Sequence, residues 1–341
     1  NTFGLRAAIH ETAKVYGLKG DDRAVIQTWR EGVAAFPGHT PFRVTLGFKL
    51  LEMGARKEAD AQAHEIVRRD PKSSRGYILL GNIAEQKHQM EDALSFFEKA
   101  LALEPNNVLL KISTARSLMR LRRRDQALAI CQDILADETL GSGASASAIR
   151  AKVGVMLAEM DLLNRAQDVL LEAADQDPAN AEAWNGLGVV HYKKRQYPDA
   201  LEAYRRAVAL DPRLASAHSN LGALYLRMAL EKRDPRLMKE ALRSFDRAIA
   251  ENPALASAYN GRASAHAFNN RPEQAIRDWK KALEFNPGFV EVYFNLGIMY
   301  LKTGRKAEAR KILETCRERF FETLPPEEQG RLERLIAEAS E

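Results

Sequence analysis

Prolines recur along this chain at a fixed interval. Pro37, Pro71 and Pro105 are 34 residues apart, as are Pro178 and Pro212, and again Pro253 and Pro287. Alanines keep the same beat at Ala59, Ala93, Ala127, Ala166, Ala200, Ala241, Ala275 and Ala309. A period of this length constrains the fold more than any local motif does. Each unit is one supersecondary element that cannot bury its faces alone, so units must stack and the array grows in one direction. That overrides the two or three globular domains that 341 residues would otherwise suggest.

Residues 181–212 show the unit most clearly, as two amphipathic helices joined by a short turn. With Ala181 as position 1, Trp184, Leu187, Gly188 and Tyr192 fall on the first helix, and Ala200, Tyr204, Ala207 and Pro212 on the second. Gly188 and Ala200 are small where two helices approach closely. Trp184 and Tyr204 supply large apolar area beside that contact, Leu187 and Ala207 continue the buried stripe, and Pro212 ends the second helix. In these residues the chain resembles the tetratricopeptide repeat (TPR) family. The resemblance implies an all-α, right-handed α-solenoid of about nine helix-turn-helix repeats, with a concave groove that binds protein.

The repeats read as 6–39, 40–73, 74–107, 108–141, 147–180, 181–214, 215–255, 256–289 and 290–323. The first departs from the pattern, with Val25 at position 20 and Gly32 at position 27. Five extra residues sit in the Gly/Ser/Ala stretch 141–146, which predicts a loop or joint between sub-arrays 1–140 and 147–323. Seven extra residues fall near 230–237 in the seventh repeat, with Asp234 and Pro235 marking the turn. Seven is about two helical turns, so both helices can lengthen and keep their facing. This protrusion is either a partner contact or a tolerated insertion. Residues 324–341 predict a capping helix: Thr323 as the cap residue, prolines and Glu327 and Glu328 in the first turn, and Leu332, Leu335, Ile336 and Ala339 on one face.

Catalytic chemistry finds no support. The seven histidines are scattered, and His191, His218 and His266 sit where the repeat has aromatic rings. No zinc-ligand spacing, nucleophile elbow or phosphate-binding glycine loop occurs, so neither metal nor cofactor is expected. Cys131 and Cys316 occupy core positions several repeats apart, too far to bridge. No apolar run approaches the roughly 20 residues of a membrane span. The compartment stays open between cytoplasm and periplasm, and the start at Asn1 reads as a processed, trimmed or partial chain.

In the resembled family, positions 2, 5, 6, 9, 12 and 13 of each first helix line the groove. The partner-binding candidates are then Phe48, Asn82, Arg116, Arg120, Asn185, Tyr192, Asn220, Asn260, Phe294 and Asn295, with Lys193, Phe268 and Lys302 on the same face. The lysine and arginine set with which some TPR domains clamp acidic chaperone tails is not met in three consecutive repeats. Asn220 and Asn295 at position 6 are similar to the TPR arm of O-linked N-acetylglucosamine transferase, where asparagines hold a peptide backbone. Gly186 and Gly261 interrupt that ladder. Residues 111–124 hold Lys111, Arg116, Arg120, Arg122, Arg123 and Arg124 before the first acid at Asp125. They form a solvated basic edge or a site for an acidic partner. Nucleic acid is disfavoured, since stacking aromatics are missing nearby. The expected function is a non-enzymatic scaffold or adaptor. The alternatives are a repeat arm of a larger enzyme, or a structural subunit of an assembly.

Overall fold

The computed structural model describes residues 2–340. Every regular element among them is helical. The chain divides into two compact units, Asn1–Gly141 and Ser142–Glu341. The first unit holds α1 (Thr2–Leu18), α2 (Asp22–Ala35), α3 (Thr40–Glu52), α4 (Arg56–Arg69), α5 (Ser74–Gln86), α6 (Met90–Leu103), α7 (Val108–Arg120) and α8 (Arg124–Leu135). The second holds α9 (Ala144–Glu159), α10 (Leu163–Gln176), α11 (Ala181–Lys193), α12 (Tyr197–Leu210), α13 (Ala215–Lys232) and α14 (Pro235–Glu251). It continues with α15 (Ala256–Phe268), α16 (Pro272–Phe285), α17 (Val290–Lys302), α18 (Lys306–Phe320) and α19 (Pro326–Glu338). Consecutive helices pair, giving four pairs in the first unit and five pairs plus α19 in the second.

The pairs close on a small-against-large contact. A Cβ added to Gly188 on α11 would lie 2.5 Å from the ring of Tyr204 on α12, and Tyr204 is buried because that glycine makes room for it. Phe245 on α14 is held the same way from two sides, by Gly222 of its own pair and by Gly261 of the next. Trp184 is only half-buried. Its indole lies under the Arg206 guanidinium, 3.7 Å from the ring centre.

Two backbone devices recur with the period. The first is a left-handed residue at position 15 of eight repeats, filled by Gly20, Gly54 and Gly304 but also by His88, Arg122, Asp161, Arg195 and Asn270, with Arg233 taking the part in the lengthened seventh pair. It lets the chain double back so that the last carbonyls of the first helix are used. At Arg195, for example, the next amide, that of Gln196, donates to the His191 carbonyl at 2.9 Å. The second lies between repeats. In four successive pairs the ring at position 4 donates from its polar tip to the carbonyl of the proline six residues earlier. Trp184 reaches Pro178 (3.2 Å), His218 reaches Pro212 (3.0 Å), Tyr259 reaches Pro253 (3.1 Å) and Tyr293 reaches Pro287 (3.0 Å). Each bond satisfies a carbonyl that faces no helical donor.

Irregular segments follow the sequence with local differences. Helix α9 begins at Ala144, so the irregular stretch is shorter than 141–146. It is opened by Gly141 and Gly143, both at positive φ. In the seventh pair both helices are long, α13 with 18 residues and α14 with 17, against 13 and 14 in the sixth. Ala229 and Met238 of the extension bury against Ala265 of α15. Gly32 has a packing reason too, since Phe42 approaches a Cβ there to 3.1 Å. Thr323 does not cap α19. It ends a short 3-10 turn and donates to the Phe320 carbonyl, and the helix starts at Pro326 behind Pro325. Leu332 and Ile336 of α19 close over Leu313 and Cys316 of the last pair. Burial pushes the Cys316 thiol up to about 11, so it is protonated and inert at neutral pH.

Candidate partner-binding face

The first helix of each pair carries the expected binding face, and the structure sorts its residues. In the first unit, Phe48 is half-buried and leans on the core built around Phe42 and Leu46. Asn82 is half-buried and has no hydrogen-bond partner among the described residues. Arg116 and Arg120 are exposed, but both rest on one carboxylate, Glu85 of α5, at 3.3 and 3.4 Å. Arg123 pairs with Glu91 at 3.1 Å and Lys111 with Asp133 at 2.5 Å. The basic edge of residues 111–124 is thus solvent-exposed at Arg116, Arg120 and Arg123, and these cations are paired within the chain. The acids missing from residues 111–124 come from the preceding repeat and from the partner helix.

In the second unit, Asn185 and Asn220 meet across α11 and α13. The Asn220 side-chain amide donates to Asn185 Oδ1 at 2.9 Å, and Asn185 is only 9% exposed. Asn260 is spoken for within its own pair, because its Oδ1 accepts from the Trp279 indole at 2.9 Å. Tyr192 is half-buried against Tyr204 and Leu224, with its ring 5.9 Å from that of Tyr197, and burial raises its phenol above the usual range. Lys193 crosses to α9 and donates to the Ala158 carbonyl at 2.7 Å.

Phe294 does not belong to an open face. It is buried with Leu313, Cys316, Leu332 and Ile336, and Arg331 of α19 lies 5.2 Å from its ring centre. The same repeat position is buried in most interior repeats as well, at Val44, Ile112, Ala151, Asn185 and Ser219, and here the capping helix adds to the cover. Besides Asn82 in the first unit, an aromatic ring and an amide stand without a partner among the described residues on consecutive first helices of the second. Phe268 on α15 is 56% exposed, and Asn295 on α17 has no hydrogen-bond partner among the described residues. The breaks in the asparagine ladder also have a cause. A Cβ at Gly186 would come within 2.6 Å of Leu170, and one at Gly261 within 2.3 Å of Phe245. Position 6 has no room for an amide in those repeats.

One polar cluster lay outside the sequence reading. Arg262 on α15 holds Asp278 of α16 through two bonds, of 2.8 and 2.7 Å, and Asp246 of α14 through a third at 2.8 Å. His266 Nε2 stands 3.8 Å from Asp278. The sequence signal was an arginine where other repeats carry leucine, with an acid sixteen residues later. Among the described residues no group of histidine, cysteine or carboxylate side chains could hold a metal ion, and no helix is long and apolar enough to cross a membrane.

Family models described as TPR repeat match residues 192–228 and 269–304. Models described as tetratricopeptide repeat match residues 49–108, 84–152 and 291–320, so that together more than half of the chain is matched. The peroxisomal targeting signal receptor of Komagataella phaffii is 24% identical over 190 residues, 54% of this chain and 32% of the receptor. The receptor of the same name from Kluyveromyces lactis is 26% identical over 292 residues, 81% of this chain and 41% of that protein. The human protein O-mannosyl-transferase TMTC1 is 25% identical over 210 residues, 62% of this chain and 20% of its own length. The chain thus spans about a third of the length of the first relatives it matches. Among solved structures, a tetratricopeptide repeat protein from Parabacteroides merdae is similar with a TM-score of 0.57 at 16% identity, covering 76% of this chain and 98% of that one. The APC/C hetero-tetramer Cut9–Hcn1 is similar with a TM-score of 0.56 at 16% identity, covering 85% of this chain and 55% of that one.

Proposed function

The chain belongs to the tetratricopeptide repeat family, whose fold serves as a protein–protein interaction scaffold, and from that premise we propose that it holds an extended peptide or a helix of a partner on the first-helix face of its second unit. The observation that carries this reading is the pairing of an exposed aromatic ring, Phe268, with the unpartnered amide of Asn295 on successive first helices. A ring exposed by more than half its surface contributes apolar area only when something covers it. An asparagine amide offers a donor and an acceptor to a peptide backbone. The Asn185–Asn220 bond supports the reading, because it orients Asn220 along the same face. The relatives that carry the name of a targeting signal receptor are consistent with a peptide as ligand.

The experiment is affinity capture with the intact chain beside a Phe268→Ala/Asn295→Ala variant, with the helical circular dichroism of both recorded first. A partner lost by the variant supports the face. A partner retained by it moves binding elsewhere. Asn185→Ala is a poor probe, since it removes the acceptor of Asn220 and perturbs the array itself.

A further inference from the structure

The extension of the seventh pair ends in a cationic tip that the rest of the chain does not neutralise. Lys232, Arg233, Arg236 and Lys239 are all exposed, and none has a carboxylate partner among the described residues. The acids nearby are committed. Glu231 pairs with Arg227 at 2.7 Å, Glu240 with Arg243 at 2.8 Å, and Asp234 Oδ1 accepts the Arg236 backbone N–H at 2.8 Å.

Some surface cations elsewhere are matched by an acid of the adjoining repeat, as Arg30 is by Glu58, Lys87 by Asp60 and Arg116 by Glu85. At the tip the helices run beyond their neighbours, α13 with 18 residues against 13 in α11 and 13 in α15, so no neighbouring acid stands opposite. Nor is the extension a loose loop. Ala229 and Met238 bury against Ala265, with Leu226, Leu237 and Leu242 packed around them. Its turn is fixed by Arg233 in the left-handed region at φ 51° and by the Asp234 cap.

We propose that this tip is a docking site for an acidic protein segment. A rigid prong costs little entropy to engage, and the guanidinium forks of Arg233 and Arg236 match carboxylates in a way that ammonium groups alone do not. No aromatic side chain lies between positions 226 and 242 to stack on bases. Leu230, 40% exposed, is the sole large hydrophobic exposed at the tip, which is too little to enter a bilayer. A protein ligand is therefore favoured over nucleic acid or membrane. This inference is independent of the first-helix face.

The test is fluorescence anisotropy at low salt with a short oligoglutamate peptide, next to an oligoglutamine peptide, a DNA duplex and phosphatidylserine vesicles. Arg236→Glu/Lys239→Glu is compared with a control reversal of two exposed cations in the first unit, Lys14→Glu/Lys19→Glu. The expected result is oligoglutamate binding weakened by about tenfold or more in the tip variant, and by less than about twofold in the control. Lys232→Ala, which adds no acid to the turn, should show a smaller loss in the same direction. Equal loss in tip and control variants, or unchanged binding in the tip variant, overturns the proposal. So does tighter, tip-dependent binding of the duplex or the vesicles than of the peptide.

Discussion

Arg262 and Asp278 form a two-bond ion pair, at 2.8 and 2.7 Å, at the place where the sixth repeat has Leu187 and Ala203. The arginine side chain is 23% exposed and the aspartate 11%, so both have given up most of their water. The pair holds the guanidinium above its ordinary value, chiefly through the Asp278 bond and against the effect of burial. Such a pair is retained less for net stability than because removing one member strands the other. Asp278→Asn should therefore destabilise the second unit by about 3 kcal/mol in urea unfolding. The double change Arg262→Leu/Asp278→Ala, which installs the residues of the sixth repeat, should recover most of that loss. Additive losses in the double variant would show that the two residues are not coupled.

The same cluster gives the fold a pH dependence. Burial holds the His266 imidazole below its ordinary value. Asp278 and Asp246 oppose that fall, and Arg262 and Arg271 add to it. A histidine depressed in the folded state is protonated first in the unfolded chain. Its effect on stability is absent above about pH 6.5 and grows as a loss when pH falls below that value. Unfolding midpoints measured from pH 7.5 down to pH 5 should fall more steeply for the wild type than for His266→Phe. His39 is also depressed by burial, in the first unit, and its contribution is common to both proteins. Parallel pH profiles would exclude His266 as the source.

Packing at the glycines can be tested directly. In Gly188→Ala the new methyl meets the Tyr204 ring at 2.5 Å, and the ring cannot retreat because it is itself buried in the core. The expected cost is about 1–3 kcal/mol from overpacking. Gly188→Ala/Tyr204→Leu should be more stable than the single variant, because a smaller side chain frees the space. A single variant as stable as the wild type would mean that the helix pair opens without cost.

Much of this architecture was legible in the chain. The proline and alanine beat located the helix pairs, and the contrast of Gly188 with Tyr204 marked a contact that the structure contains. What was not legible came from neighbours in space. Phe294 sits at a groove position of its repeat but lies under α19, and a pattern read one repeat at a time cannot register what covers the last one. Residues 111–124 looked unbalanced because their acids, Glu85 and Glu91, belong to the repeat before. Arg262 was missed for the opposite reason, since a position reserved for leucine conceals a charge until its partner sixteen residues later is read with it. Trp184, expected to fill the interior, is half-exposed because its indole reaches out to the Pro178 carbonyl.

The turn residues allow a last contrast between identity and conformation. Position 15 is left-handed in every repeat but the lengthened seventh, where Arg233 takes its part, whether it holds Gly304 at φ 73° or Arg195 at φ 60°. For a residue with a Cβ that conformation costs roughly 1–2 kcal/mol, whereas glycine bears only the larger entropy of its unfolded chain, roughly 0.5–1 kcal/mol. Arg195→Gly should thus stabilise the second unit by up to about 1 kcal/mol, and Gly304→Ala should destabilise it by a similar amount although no atom lies within 4 Å of the added methyl. Opposite shifts of the urea midpoint would establish that backbone conformation, not contact, selects residues at this position. Shifts of the same sign would mean that the Arg195 side chain contributes more than its strain removes.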